Sequence, residues 1–317
     1  MEEMQDKAGF HWLYQAVGVG KKTLWKELEK IGAARQIYDL LGQGALEKRL
    51  RETGTISEEA CRKYVRRMEA FTDGYDVPGE YDRMRKRGIY LVTREEKDYP
   101  AKLGKIPDAP RALYFAGKLP GEKKSVAIVG ARECSEYGRY MAGQFGRQLA
   151  AAGVCIVSGM ARGIDGISQE AALCEGGDSL AVLGCGVDVC YPESNRELYE
   201  RLLVQGGICS EYPPGTTPRA VLFPPRNRII SGLADAVLVV EAREKSGTLI
   251  TVDMALEQGR DVYALPGRAT DPLSVGCLRL IRQGAALVYT PQQLLEELAA
   301  EQTDGKAFEQ QKLVFLE

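Results

Sequence analysis

From residue 125 onward the chain alternates short, uninterrupted apolar runs with stretches of helical periodicity. The apolar runs occupy 125–131 (SVAIVGA), 154–159, 178–186, 207–212, 234–242, 261–267 and 285–289. Most are separated by helical patterns such as RYMAGQFGRQLAAAG and TLITVDMALEQG. A strand apolar on both sides must be covered on both sides, so these runs predict a mostly parallel sheet with crossover helices above and below it. That is an extended Rossmann-like, doubly wound α/β architecture. Two further strand candidates, 89–93 and 112–118, come first, separated by a loop carrying Pro100, Pro107 and Pro110.

The preceding segment reads differently. FHWLYQAVGVGKKTLWKELEKIG places apolar residues at helical spacing on both sides of Gly18-Val19-Gly20. Two readings stand for it: a helix-hairpin-helix (SAM-like) turn whose N–H groups face a phosphate, or a plain helical hairpin. The basic run Arg62, Lys63, Arg66 and Arg67 reads as a solvated face. Residues 73–88 are polar and turn-rich. The expected division is a helical domain over 1–72, a linker over 73–88, the Rossmann-like domain over 89–300 and a tail over 301–317.

Composition removes several chemistries. The one histidine, His11, leaves a Ser-His-Asp triad, a Cys-His pair or a histidine-ligated metal without material. Eight cysteines are scattered with no CxxC pair, so neither a zinc ribbon nor a thioredoxin-type centre is expected. The acidic opening MEEMQDK has no apolar stretch and no run is long enough for a membrane span, so a cytoplasmic protein with reduced thiols is the expectation. Residues 1–124 hold 25 Lys and Arg against 20 Asp and Glu, whereas 125–317 hold 17 against 24. Of those 17 basic residues 14 are arginine, so a polyanion site in the sheet domain must be local and built on arginine.

In a doubly wound sheet, ligands bind outside the carboxyl ends of the strands. Those ends read GARECSEYG, SGMARGIDG, LGCGVDVCYPESN, FPPRNRIISG, EAREKSGTLIT and LPGRATDP. Glycine allows close backbone approach, and Arg132, Arg162, Arg226 and Arg228 all fall in these segments. As a set they point to a row of phosphates. Singly, the glycines make tight turns and the arginines meet Glu211 or Glu241 inside the fold. No GxGxxG follows the first strand and no GxxxxGK[ST] exists, so a dinucleotide fingerprint and a P-loop are both absent.

With their order, these segments resemble the DNA-processing protein A family (DprA, or Smf), over about residues 89–290. The resemblance implies an extended Rossmann fold that binds single-stranded DNA and protects it. It also implies a part in loading the RecA recombinase during natural transformation, and a homodimer, with no catalysis, cofactor or metal. Carried over by motif, the strand-binding residues are Gly130 and Arg132, Ser158, Gly159 and Arg162, Arg226, Asn227 and Arg228, and Ser246, Gly247 and Thr248. Members often carry a lysine where this chain has Glu193, and many continue into a winged-helix domain, for which the 17 residues after position 300 are too few.

The competing reading is a nucleotide-processing Rossmann hydrolase, similar to the nucleoside-monophosphate phosphoribohydrolases. It lacks the glutamate such enzymes place three residues after the threonine of their glycine-rich turn, since Thr251 stands there. A dimer contact is expected within about residues 249–290, with Leu280 and Ile281 as its apolar face.

Overall fold

The structure is a computed structural model describing residues 2–304, which divide into two compact units, Met1–Leu91 and Val92–Glu317. The first unit holds α1 (Glu2–Val17), α2 (Lys22–Ile31), α3 (Ala34–Gly42), α4 (Leu46–Glu52), α5 (Glu58–Thr72) and α6 (Val77–Lys86). Its apolar faces meet over Trp12, Leu24, Leu28, Leu46, Leu50 and Met68, all fully buried. Gly18 has φ +84, the left-handed turn between α1 and α2 that its missing Cβ allows. Its carbonyl accepts from Trp25 Nε1 at 3.0 Å, which ties the turn down.

α6 corrects the linker reading of 73–88. Asp76 accepts from the N–H of Gly79 at 3.1 Å, and Pro78 sits in the first turn, where its missing N–H costs nothing. Tyr81 and Met84 then supply the buried face. The turn-like residues are a helix start rather than a connection.

The chain continues through β1 (Tyr90–Thr93), α7 (Ala101–Gly104), β2 (Ala112–Gly117), β3 (Ser125–Val129), α8 (Glu136–Ala151), β4 (Cys155–Ser158) and α9 (Ile164–Cys174). Then follow β5 (Ser179–Val182), α10 (Arg196–Gln205), β6 (Gly207–Ser210), α11 (Phe223–Leu233), β7 (Ala236–Val239), α12 (Gly247–Glu257), β8 (Asp261–Ala264), α13 (Val275–Arg282), β9 (Ala286–Leu287) and α14 (Pro291–Asp304). Residues 305–317, most of the expected tail, lie outside the described residues. The sheet runs β1-β2-β6-β5-β4-β3-β7-β8-β9, parallel from β6 to β9, with β2 antiparallel to β6.

Alternate strand residues feed two separate cores, as the period of two requires. Ala127, Val129, Val157, Val237 and Val239 face Ile229, Leu233, Val252, Ala255 and Leu280 from α11, α12 and α13. Val126, Ile128, Ile156 and Leu238 face Ala142, Phe145, Leu149, Ala172 and Leu294 from α8, α9 and α14. Leu280 is therefore core, and Ile281 packs beside it, which removes both as the expected association face. At that edge the exposed apolar residues are Leu287 and Tyr289, 44% and 58% accessible.

Candidate nucleic-acid interface

The strand order reverses at β3, which has β4 on one side and β7 on the other. Segments leaving β3 and β4 part to opposite faces at that point and open a crevice. The turn after β3 brings Gly130 and Arg132, the turn after β4 brings Gly159 and Arg162, and the turn after β7 leads to Ser246, Gly247 and Thr248 at the start of α12. α11 closes the crevice with Arg226 and Asn227 in its opening turns.

Two adjoining cavities occupy it. One, of about 270 Å³, is lined by Arg132, Gly159, Arg162, Tyr191, Phe223 and Arg226 among others. The other, of about 530 Å³, reaches Gly130, Arg132, Arg226, Asn227, Ser246, Gly247 and Thr248. Nine of the eleven expected residues thus line one continuous site.

Ser158 and Arg228 do not. Ser158 is fully buried and its hydroxyl donates to the carbonyl of Ile128 at 2.6 Å, so it secures β4 to β3. Residues 224 to 228 were expected in a turn, but they open α11, where Pro224 is accommodated because the first helical N–H groups have no intrahelical partner. Two residues along a helix lie about 200° apart around its axis. Arg226 therefore points into the crevice, while Arg228 points away, bidentate to Glu211 at 2.8 and 2.9 Å with Asp108 at 3.3 Å. Glu211 is an arginine partner as expected. Glu241 is not: its buried carboxylate accepts from the N–H of Ser135 at 2.9 Å and from the Ser135 hydroxyl, bracing the start of α8.

The three crevice arginines differ in state. Arg226 is 5% exposed; its Nη1 donates to the carbonyls of Gly159, at 3.0 Å, and Val182, and its Nε to Asn227 Oδ1 at 3.2 Å. A Cβ on Gly159 would lie 2.7 Å from both terminal nitrogens, so glycine is the residue that leaves room for this guanidinium. Nη2 has no hydrogen-bond partner among the described residues and is not sealed from solvent. Below it lies Asp165, also buried, which accepts from the N–H of Gly159 at 3.2 Å. Burial pushes the Asp165 carboxyl up, against the pull of the Arg226 charge. Arg132 and Arg162 are exposed and have no carboxylate partner among the described residues; Arg132 lies 6.0 Å from the Phe223 ring centre.

Neighbours fix the loop that carries Arg162. Met160 takes φ +54, rare for a residue with a side chain, and its N–H donates to Gln169 Oε1 at 3.0 Å. Asn195 Nδ2 donates to the carbonyls of Met160 and Ala161 at 3.0 and 3.1 Å. Glu193, the acid in place of a lysine, is held by Arg196 at 2.5 and 2.6 Å, so each offsets the other at that rim. Tyr191 and Phe223 were missing from the expected set, although an aromatic beside proline in a strand-end turn (YP, FPP) is a readable signal.

A family of proteins described as DNA recombination-mediator protein A matches residues 90–299. Protein Smf of Escherichia coli is 46% identical over 211 residues, 66% of this chain and 56% of that protein. DNA processing protein DprA of Bacillus subtilis is 39% identical over 216 residues, 68% of this chain and 73% of that protein. The chain thus spans only somewhat more than half the length of some curated relatives it matches. The X-ray structure of DprA from Streptococcus pneumoniae superposes with a TM-score of 0.70 at 34% identity, covering 82% of this chain and 90% of that one. A structure concerned with the single-stranded DNA binding mode of DprA from Helicobacter pylori superposes at 0.61 and 28% identity, covering 67% of this chain and 96% of that one. The chain belongs to the DNA recombination-mediator protein A family.

Proposed function

We propose that the chain is a single-stranded DNA-binding recombination mediator whose strand runs through the crevice at the ends of β3, β4 and β7. The observation that carries this reading is the pair Arg132 and Arg162, exposed without carboxylate partners at the mouth of a cavity floored by Arg226. Exposed arginines in a protein ordinarily find acids; a pair left free around a glycine-walled cavity suits phosphate oxygens. The excess of acid over base in residues 125–317 confines binding to this place. A single strand can splay its bases into narrow compartments, whereas a duplex keeps its bases paired and offers only its backbone.

The same reading includes protection of the bound strand, transfer of it to the RecA recombinase during natural transformation, a homodimer and a cytoplasmic setting. It involves no covalent chemistry. The hydrolase alternative has weak support, because Thr251 occupies the position of the needed glutamate and the nearby Asp165 is occupied by a backbone N–H.

The test is fluorescence anisotropy with one labelled oligonucleotide, presented alone or annealed to its complement. Stronger binding of the single strand, weakened by Arg132→Ala and by Arg162→Ala, is the expected result. Equal affinity for both forms, or both variants binding within twofold of the parent, would overturn the assignment.

A further inference from the structure

The two cavities share five lining residues: Arg132, Ala161, Tyr191, Phe223 and Arg226. Tyr191 and Phe223 are stacked, with ring centres 5.4 Å apart and planes inclined by 26°. Phe223 is fixed from behind. It fits over Gly184, where any Cβ would approach its ring to 2.7 Å, and the Arg226 guanidinium stands 5.9 Å from its centre. Tyr191 is left 42% exposed, and its hydroxyl has no hydrogen-bond partner among the described residues.

We propose that Tyr191, backed by Phe223, is a base-stacking wall between the two compartments, so that one unpaired base of the strand lies flat on its outer face while the phosphates on either side reach Arg132 and Arg162. This rests on the strand-binding reading and adds to it the feature that selects unpaired bases. Phe223 alone could be a plug that seats the start of α11. That role does not explain Tyr191, whose ring projects from the plug into the junction. Every base has an apolar face, so the wall is indifferent to sequence. Bases within a duplex have their faces covered by neighbours and cannot use it. The smaller compartment adds Leu183, Cys185 and Pro192, an apolar lining suited to a base; the larger adds Asn227, Ser246 and Thr248, a polar lining suited to sugar and phosphate.

The experiment compares a thymidine oligonucleotide with an abasic strand of the same length, on the full chain and on Tyr191→Ala, Tyr191→Leu and Tyr191→Phe. The parent should prefer the thymidine strand by about five- to 150-fold, the range of one aromatic–base stack. Tyr191→Ala and Tyr191→Leu should lose that preference and bind the abasic strand as the parent does, which also shows that they are folded. Tyr191→Phe should keep it. A 2-aminopurine placed in the strand should be quenched by the parent and by Tyr191→Phe, and not by the other two. Tyr191→Leu retaining the full preference overturns the wall, as does a parent that binds both strands equally; in either case the strand-binding reading survives. A parent that binds neither strand removes the strand-binding reading and the wall with it.

Discussion

The states of the four expected arginines predict how binding depends on salt. On single strands each neutralised phosphate contributes about −0.7 to the slope of log K against log salt. Arg132, Arg162 and Arg226 line the crevice, so the parent slope should be near −2 (about 0.7 for each of three contacts). Removing Arg132 and Arg162 together should bring it to about −0.7. Each single loss should also weaken binding at fixed salt by about 1.5–3 kcal/mol, roughly ten- to 150-fold. Arg228→Ala makes the contrast. It should leave the slope unchanged, because Arg228 is spent on Glu211, whose side chain is 8% exposed. Its cost appears in stability instead, about 3–5 kcal/mol for a buried carboxylate left unpaired. Anisotropy titrations between about 50 and 200 mM salt, with thermal melts of the same samples, measure both. If Arg228→Ala flattens the slope as Arg132→Ala does, the crevice is wrongly drawn. A slope steeper than about −6 that persists in the double variant would place the main contact on the helical unit.

Three further outcomes follow from other parts of the molecule. Burial holds the His11 imidazole down at about 4, so the folded chain refuses a proton that the unfolded chain accepts below about 6.5. Stability present at pH 7 should therefore fall as pH drops through that window, by about 2–3 kcal/mol at pH 4.5; urea melts showing the same pH dependence in His11→Gln would refute the assignment to this residue. Gly159→Val should displace the Arg226 guanidinium and weaken strand binding at least as much as Arg162→Ala, and unaltered affinity would show that Arg226 has no part in the site. Leu280→Glu should unfold the sheet unit, seen as lost circular dichroism, whereas Tyr289→Glu should stay folded and, if the exposed edge is the association face, sediment as a monomer; a folded Leu280→Glu protein contradicts the core placement.

Periodicity in the sequence located the nine strands, because a run buried on both faces has no polar position to interrupt it, and Val126 through Val129 feed two cores in turn. Glycine-rich turns between such runs also indicated the sheet edge where a ligand would sit. The helix at 77–86 escaped notice since its capping residues, Asp76, Pro78 and Gly79, are also those of a turn, and only Tyr81 and Met84 are buried along it. Tertiary structure alone decided between Arg226 and Arg228. They are two residues apart in one motif, yet the helix turns one into the crevice and the other onto Glu211, and that depends on which face of α11 meets the sheet. It likewise brought Tyr191 against Phe223 from separate segments. A linear pattern records what must be buried, but which charge stays unpaired and which ring stays exposed is settled only when distant segments pack.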